Sequence, residues 1–191
     1  MPAVLDKPKP SQKRRWTYEE YYRLDDDRRY ELFNGELIPM EPPSPSASHQ
    51  REILELAVLF RDFVKKKKLG EVFVAPLDVI LDAENTAQPD VIFVAKRNAG
   101  IVKDRGIFGA PDIVVEILSP GSVRRDRYDK RGLYARFGVP EYWIRDHGNR
   151  TLEVLALDGD DYGVHSFAVE IGHVTSKVLK GLKVKLGDLL G

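Results

Sequence analysis

The chain has 191 residues, with 30 lysines and arginines balanced by 30 aspartates and glutamates, and no cysteine. That length favours one domain burying about 70% of its unfolded surface; the missing cysteines exclude a disulfide framework, a thiolate nucleophile and thiolate-bound zinc. The 42% hydrophobic and 31% charged fractions are those of a globular chain, and zero formal charge supplies no global field to draw in a polyanion.

Residues 1–15 read as a flexible basic arm, with Lys7, Lys9, Lys13, Arg14 and Arg15 against Asp6, and residues 16–191 as a single domain. The arm lacks the apolar stretch of a signal peptide, and no apolar run is long enough for a bilayer, so a cytoplasmic protein without membrane contact is expected. No repeat of 20–50 residues is visible, which argues against a solenoid.

Thr17 and Glu20 form a capping-box pattern, predicting a short helix that ends in the charged stretch 25–29. Asn34-Gly35 between two short apolar runs predicts a hairpin over 30–40, followed by a loop at 42–46. Ser46 or Ser48 is placed to cap a helix over about 48–68, in which Ile53, Ala57, Phe60 and Val64 make one buried stripe and Gly70 is the stop. Strands are expected at 71–81, 89–94 and 111–118, the last apolar on both faces and therefore central, with a loop or short helix over 95–110. A helix over 125–137 is followed by a strand at 141–145, a peripheral antiparallel pair at 150–157 and 162–169, and a terminal strand and helical turn. This order predicts a mixed α/β (α+β) fold, a mixed sheet flanked by helices with an N-terminal helix and hairpin.

Three residues break the local pattern. Asp90 opens an apolar strand, and Glu116 stands in the middle of one, on the face of Val114 and Leu118. Asp126, Lys130, Tyr134 and Phe137 recur at four, four and three residues and share a helical stripe, so Lys130 is expected to point inward, toward Glu116. Two carboxylates on neighbouring strands with one lysine suit a hard divalent cation such as Mg²⁺ or Mn²⁺, which takes oxygen ligands. A buried Glu116–Lys130 ion pair without catalysis meets the same spacing. Asp126 is placed to orient Lys130, Asp112 to make a turn, Glu141 to be an edge charge, and Glu31, by strand alternation, to face solvent.

The blocks YELFNGELIPM, PPSPSASHQ, QPDVIFV, GAPDIVVEILSP and DRYDKRGLYARFGVPEYWIRD together resemble the Uma2 family over about residues 16–190. The resemblance implies a restriction-endonuclease-like, PD-(D/E)xK fold, with Asp90 in the PD element and Glu116 as the (D/E) element. Leu118 stands where the plain motif has lysine, and the resemblance implies that the lysine has moved to the following helix, as Lys130. His49 and Glu36 match the family pattern as auxiliary residues.

The expectation is a Mg²⁺- or Mn²⁺-dependent endonuclease that cuts DNA, with Asp90 and Glu116 on the metal and Lys130 assisting the attacking water. The alternative is a nuclease-fold nucleic-acid-binding or interaction protein without turnover. The cationic run from Arg124 to Arg136 follows Glu116 directly, and Arg124, Arg125, Arg127 and Arg131 are candidate phosphate contacts. A homodimer would suit an enzyme meeting both strands of a duplex.

Overall fold

The computed structural model describes residues 14–26, 28–40 and 46–189. Residues 1–13 of the expected arm, and residues 42–45 of the expected loop, lie outside the described residues.

The capping box forms: Thr17 N–H donates to Glu20 at 2.9 Å and Glu20 N–H to Thr17 Oγ1 at 3.4 Å. It starts α1 (Tyr18–Tyr22), which stops at Arg23, short of the charged stretch. β1 (Tyr30–Phe33) and β2 (Glu36–Pro39) make the hairpin, with Asn34 and Gly35 at φ 49° and 78°, the two positive values that the turn requires. α2 (Ala47–Lys67) is capped by Ser46, whose hydroxyl accepts from His49 N–H at 3.2 Å. Its stripe buries Ile53, Leu56, Phe60 and Val64.

Two local expectations change here. The left-handed residue ending α2 is Lys68, at φ 55°, and Gly70 instead opens β3 (Gly70–Val74). Gly70 is needed there because a Cβ would lie 2.1 Å from the Val94 carbonyl oxygen. The strand expected over 71–81 is also two strands. Pro76 has no N–H to give a ladder, and the chain leaves β3 to re-form as β4 (Val79–Asp82) in a different sheet.

β5 (Asn85–Ala87) is followed by β6 (Val91–Ala95), a 3₁₀ turn (Lys96–Ile101), β7 (Val102–Lys103), β8 (Gly106–Phe108) and β9 (Ile113–Ile117). A π-helical turn (Arg125–Lys130) then runs into α3 (Arg131–Arg136). β10 (Glu141–Asp146), β11 (Thr151–Asp158), β12 (Asp161–Val169), β13 (His173–Thr175), β14 (Lys183–Lys185) and a 3₁₀ turn (Leu186–Leu189) complete the chain.

The strands form a six-stranded sheet in the order β12-β11-β10-β9-β6-β3, a second in the order β2-β1-β5-β4-β8-β7, and the pair β13-β14. In the first sheet β9 and β10 are parallel, and their crossover is the π turn with α3. Its other pairings are antiparallel. β9 is interior, as expected, and buried at every position. Ile113, Val115 and Ile117 pack on Leu56, Phe60 and Val64 of α2, where Phe60 meets Trp143 edge-to-face at 5.0 Å. Val114 and Leu118 pack toward Val79 and Ile107 of the second sheet and Leu133 and Tyr134 of the crossover. The second sheet therefore covers one face of the first, so a residue on that face of β9 is enclosed between layers.

Two buried acids are structural. Glu141 is fully buried rather than an edge charge, and accepts from Trp143 Nε1 at 2.6 Å, the Ser176 hydroxyl at 2.7 Å, and the N–H groups of Lys177 and Val178 at 2.6 and 2.9 Å. Asp112 accepts from Ala95 N–H at 2.7 Å, from Asn98 at 3.0 Å and from Arg97, which fixes the 3₁₀ turn against β9.

The close approach at Gly70 is directly testable. Gly70→Ala forces β3 away from β6 and is expected to cost about 3 kcal/mol, lowering Tm by about 6–12 °C in a thermal melt. An unchanged Tm would mean that the two strands have slack.

Candidate active site

The antiparallel register Val91↔Val115, Ile92↔Val114 carries Asp90 to the position opposite Glu116. Opposed residues project to the same face, with Cβ atoms about 4.5–5.5 Å apart. Both oxygens of Asp90 are held: Oδ2 accepts from Ile117 N–H at 2.7 Å, and Oδ1 lies 3.2 Å from Nε2 of His49, in the first turn of α2. Glu116 Oε1 accepts from Lys130 Nζ at 2.9 Å and from the Tyr134 hydroxyl at 2.8 Å. The stripe expected on the crossover helix is therefore real, and Lys130 points inward with 4% of its surface exposed.

Lys130 meets two further acids. Its Nζ is 2.8 Å from Glu31 Oε1 and 3.3 Å from Asp126 Oδ1. Glu31 does not face solvent; it is fully buried, because β1 lies inside the second sheet and is covered on both faces. Its Oε1 also accepts from Gln88 N–H at 3.1 Å, while Oε2 has no hydrogen-bond donor and lies 3.6 Å from Arg125 Nη1. Three carboxyl groups thus surround one lysine, with one arginine at the margin.

Burial pushes the Glu116 carboxyl well above the ordinary range; Lys130 opposes the shift, and the charges of Asp126, Asp90 and Glu31 add to it. Burial likewise raises Asp126. Burial disfavours the Lys130 ammonium, but Glu116, Glu31 and Asp126 together outweigh it and raise its pKa, so Lys130 is cationic. Tyr134 is raised by burial and by Glu116 and stays a hydrogen-bond donor. His49 is raised by its bond to Asp90, against burial.

Residues 18–186 match the family Uma2, described as “Putative restriction endonuclease”. The chain belongs to the Uma2 family. Its fold is similar to that of a protein from Anabaena variabilis described as “a putative nuclease belonging to DUF820”, with a TM-score of 0.72 and 19% identity over 91% of this chain and 96% of that one. No curated protein matches the chain. The Uma2 assignment and the restriction-endonuclease-like mixed fold read from the sequence both stand.

Within this Uma2 chain, Asp90, Glu116, Lys130 and His49 come together, and Glu36 does not join the groups around Lys130. It lies exposed at the turn end of the hairpin, opposite Phe33. The arginine run is mostly committed internally: Arg125 to Glu31, Arg127 to Asp146 at 3.2 Å and Glu153 at 3.5 Å, and Arg131 to Asp161 at 3.0 Å. Arg124 is exposed and makes no ion pair among the described residues.

Glu31 is the residue that the sequence reading missed; its only signal was an acid in a short apolar hairpin strand. A second buried pair was also unforeseen. Arg145, fully buried, donates to Glu52 at 2.6 Å, and Glu52 in turn lies 2.9 Å from His147 Nδ1. Glu52 follows His49 by three residues on α2, so this pair ties the first turns of α2 to the end of β10.

Lys130→Met removes the cation held by three buried acids. It is expected to cost about 3–5 kcal/mol at neutral pH, measured by urea denaturation. A loss below about 1 kcal/mol would show that the acids are neutral in the folded chain and do not rely on Lys130.

Proposed function

We propose that this Uma2 chain is a metal-dependent endonuclease that hydrolyses phosphodiester bonds of DNA. The observation supporting this reading is the register that sets Asp90 opposite Glu116 beside the inward-pointing Lys130. The donor set of Asp90 and Glu116 fits a Mg²⁺ or Mn²⁺ ion, being all carboxylate oxygen, and beside it the buried Glu31 Oε2 has no hydrogen-bond donor. Among the described residues no three His, Cys, Asp or Glu side chains are arranged to hold an ion. Mg²⁺, however, commonly takes only one or two carboxylates and completes its shell with water and phosphate oxygens.

Asp90 and Glu116 would hold the ion, which when bound supplies a more acidic water and neutralises phosphate charge. The chain's own residues do the rest. Ile117 N–H and His49 fix the Asp90 carboxylate, and Tyr134 and Lys130 fix that of Glu116. Lys130, kept cationic by three acids, favours negative charge developing on the phosphate. The accessible margin of the cluster is the His49–Asp90 pair, with side chains 13% and 14% exposed.

The enclosure of Lys130 favours a second reading, in which the chain binds nucleic acid without turnover and the ion cluster only joins the two sheets.

Supercoiled plasmid incubated with Mg²⁺ or Mn²⁺ separates the two. Asp90→Ala and Glu116→Ala are expected to lower nicking about a hundredfold or more. Equal nicking by all three proteins would mean contamination, and DNA binding without nicking under either metal would favour the second reading.

A homodimer, part of the same proposal, would use the edge of β12, where Val164, Phe167 and Val169 are exposed and Tyr162–Val169 carries no Lys, Arg, Asp or Glu. Light scattering is expected to give twice the chain mass, and the monomer mass for Phe167→Glu; a monomeric wild type rejects it.

A further inference from the structure

The π-helical turn has two sides. Asp126 and Lys130, four residues apart, turn inward to the carboxylate cluster. Arg124 and Tyr128, also four apart, are exposed, with 70% of Tyr128 open to solvent. π turns are wide, rare and frequent at functional sites, and this one is anchored. Tyr142 donates its hydroxyl to the Asp126 carbonyl at 2.9 Å, Asp126 N–H donates to the Ser122 carbonyl at 2.9 Å, and Lys130 makes three ion pairs. The phenol ring of Tyr128 is thus carried by an anchored stretch of backbone.

The charge around it is selective. Arg125, Arg127 and Arg131 are bound to acids, and Arg136 donates to Asn34 and Asn85 at 3.0 Å. Arg124 keeps its guanidinium for an outside ligand, one turn from the exposed ring. In the loop after β9, Pro120 and Gly121 are exposed, and a Cβ on Gly121 would meet nothing within 4 Å. Asp129, exposed on the same turn, weakens long-range attraction for a phosphate, so short-range stacking has to supply much of the affinity. A ring can stack only on a base whose face is free, and in a duplex those faces are occupied.

We infer that Tyr128 and Arg124 form a subsite for one unpaired nucleotide on the outer side of the turn that carries Lys130, the base stacking on Tyr128 and its phosphate meeting Arg124. The inference rests on the proposed nucleic-acid function and narrows it: the strand delivered to the site is single-stranded or locally unpaired.

Fluorescence anisotropy tests it in EDTA at low salt, with the full chain and three labelled probes: a dT 12-mer, a U 12-mer and a 12-base-pair DNA duplex. A single-stranded probe is expected to bind more tightly than the duplex, and the better of the two identifies DNA or RNA. Tyr128→Ala should weaken single-strand binding about fivefold or more, while Tyr128→Phe, which keeps the ring, should not. Arg124→Ala should reduce the slope of log affinity against log salt by about 0.7. Equal binding by wild type and Tyr128→Ala, equal affinity for duplex and single strand, or no binding of any probe overturns the subsite. Because this binding assay contains no metal, a Glu116→Ala variant that loses nicking in the plasmid assay but keeps single-strand binding here has lost catalysis alone.

Discussion

The ammonium of Lys130 sits where acids from three separate parts of the chain converge: Glu31 from the second sheet, Glu116 from the centre of the first, and Asp126 from its own turn. Elsewhere the two sheets meet through apolar contacts, which resist sliding only weakly because they are non-directional. A lysine with three donors and three acids has a direction, so it fixes where the hairpin lies over β9. Replacing such a buried cluster wholesale by apolar residues is often neutral or stabilising. Stability alone therefore does not account for three carboxyl groups around one lysine, which is what the proposed cation-dependent function would explain.

The position of that cluster follows from topology. β9 and β10 are the parallel pair of the first sheet, so the chain must cross over after β9, and the crossover returns across the end of the strand that carries Glu116. β6 runs antiparallel on the other side, which brings its start, and hence Asp90, to the same end. α2 packs on the opposite face, yet its first turn reaches the same end and supplies His49. Four elements close on one spot because of strand direction, before any side-chain preference is considered.

Features with a local cause were legible in the sequence. The Thr17–Glu20 box, the Asn34-Gly35 turn, the stripe of α2 and the two-faced burial of β9 each depend on residues close in the chain, and each is found. The inward Lys130 was legible for the same reason, because a helical stripe needs only spacing. Glu31 was not, since alternation assumes one solvated face and β1 has none. The split at Pro76 and the three-residue β5 depend on which sheet each segment joins, a long-range matter. The π turn could not be foreseen either: spacings of four and three point inward in an α-helix, and here a wider turn meets the same residues.

The zero net charge reads differently once the pairs are known. The chain is neutral overall, and several of its arginines are matched by acids: Arg145 by Glu52, Arg127 by Asp146 and Glu153, Arg131 by Asp161, and Arg105 by Glu19. A polyanion approaching those arginines meets paired dipoles rather than free cations, and at physiological ionic strength little attraction survives beyond about 8 Å. Under the proposed function, recognition would be made at contact range, by the Arg124 guanidinium, by the exposed Tyr128 ring, and by an ion that Asp90 and Glu116 would hold. The guanidinium and the ring stand on the outer side of the same turn that turns Lys130 inward to Glu116, so that turn would join affinity to chemistry.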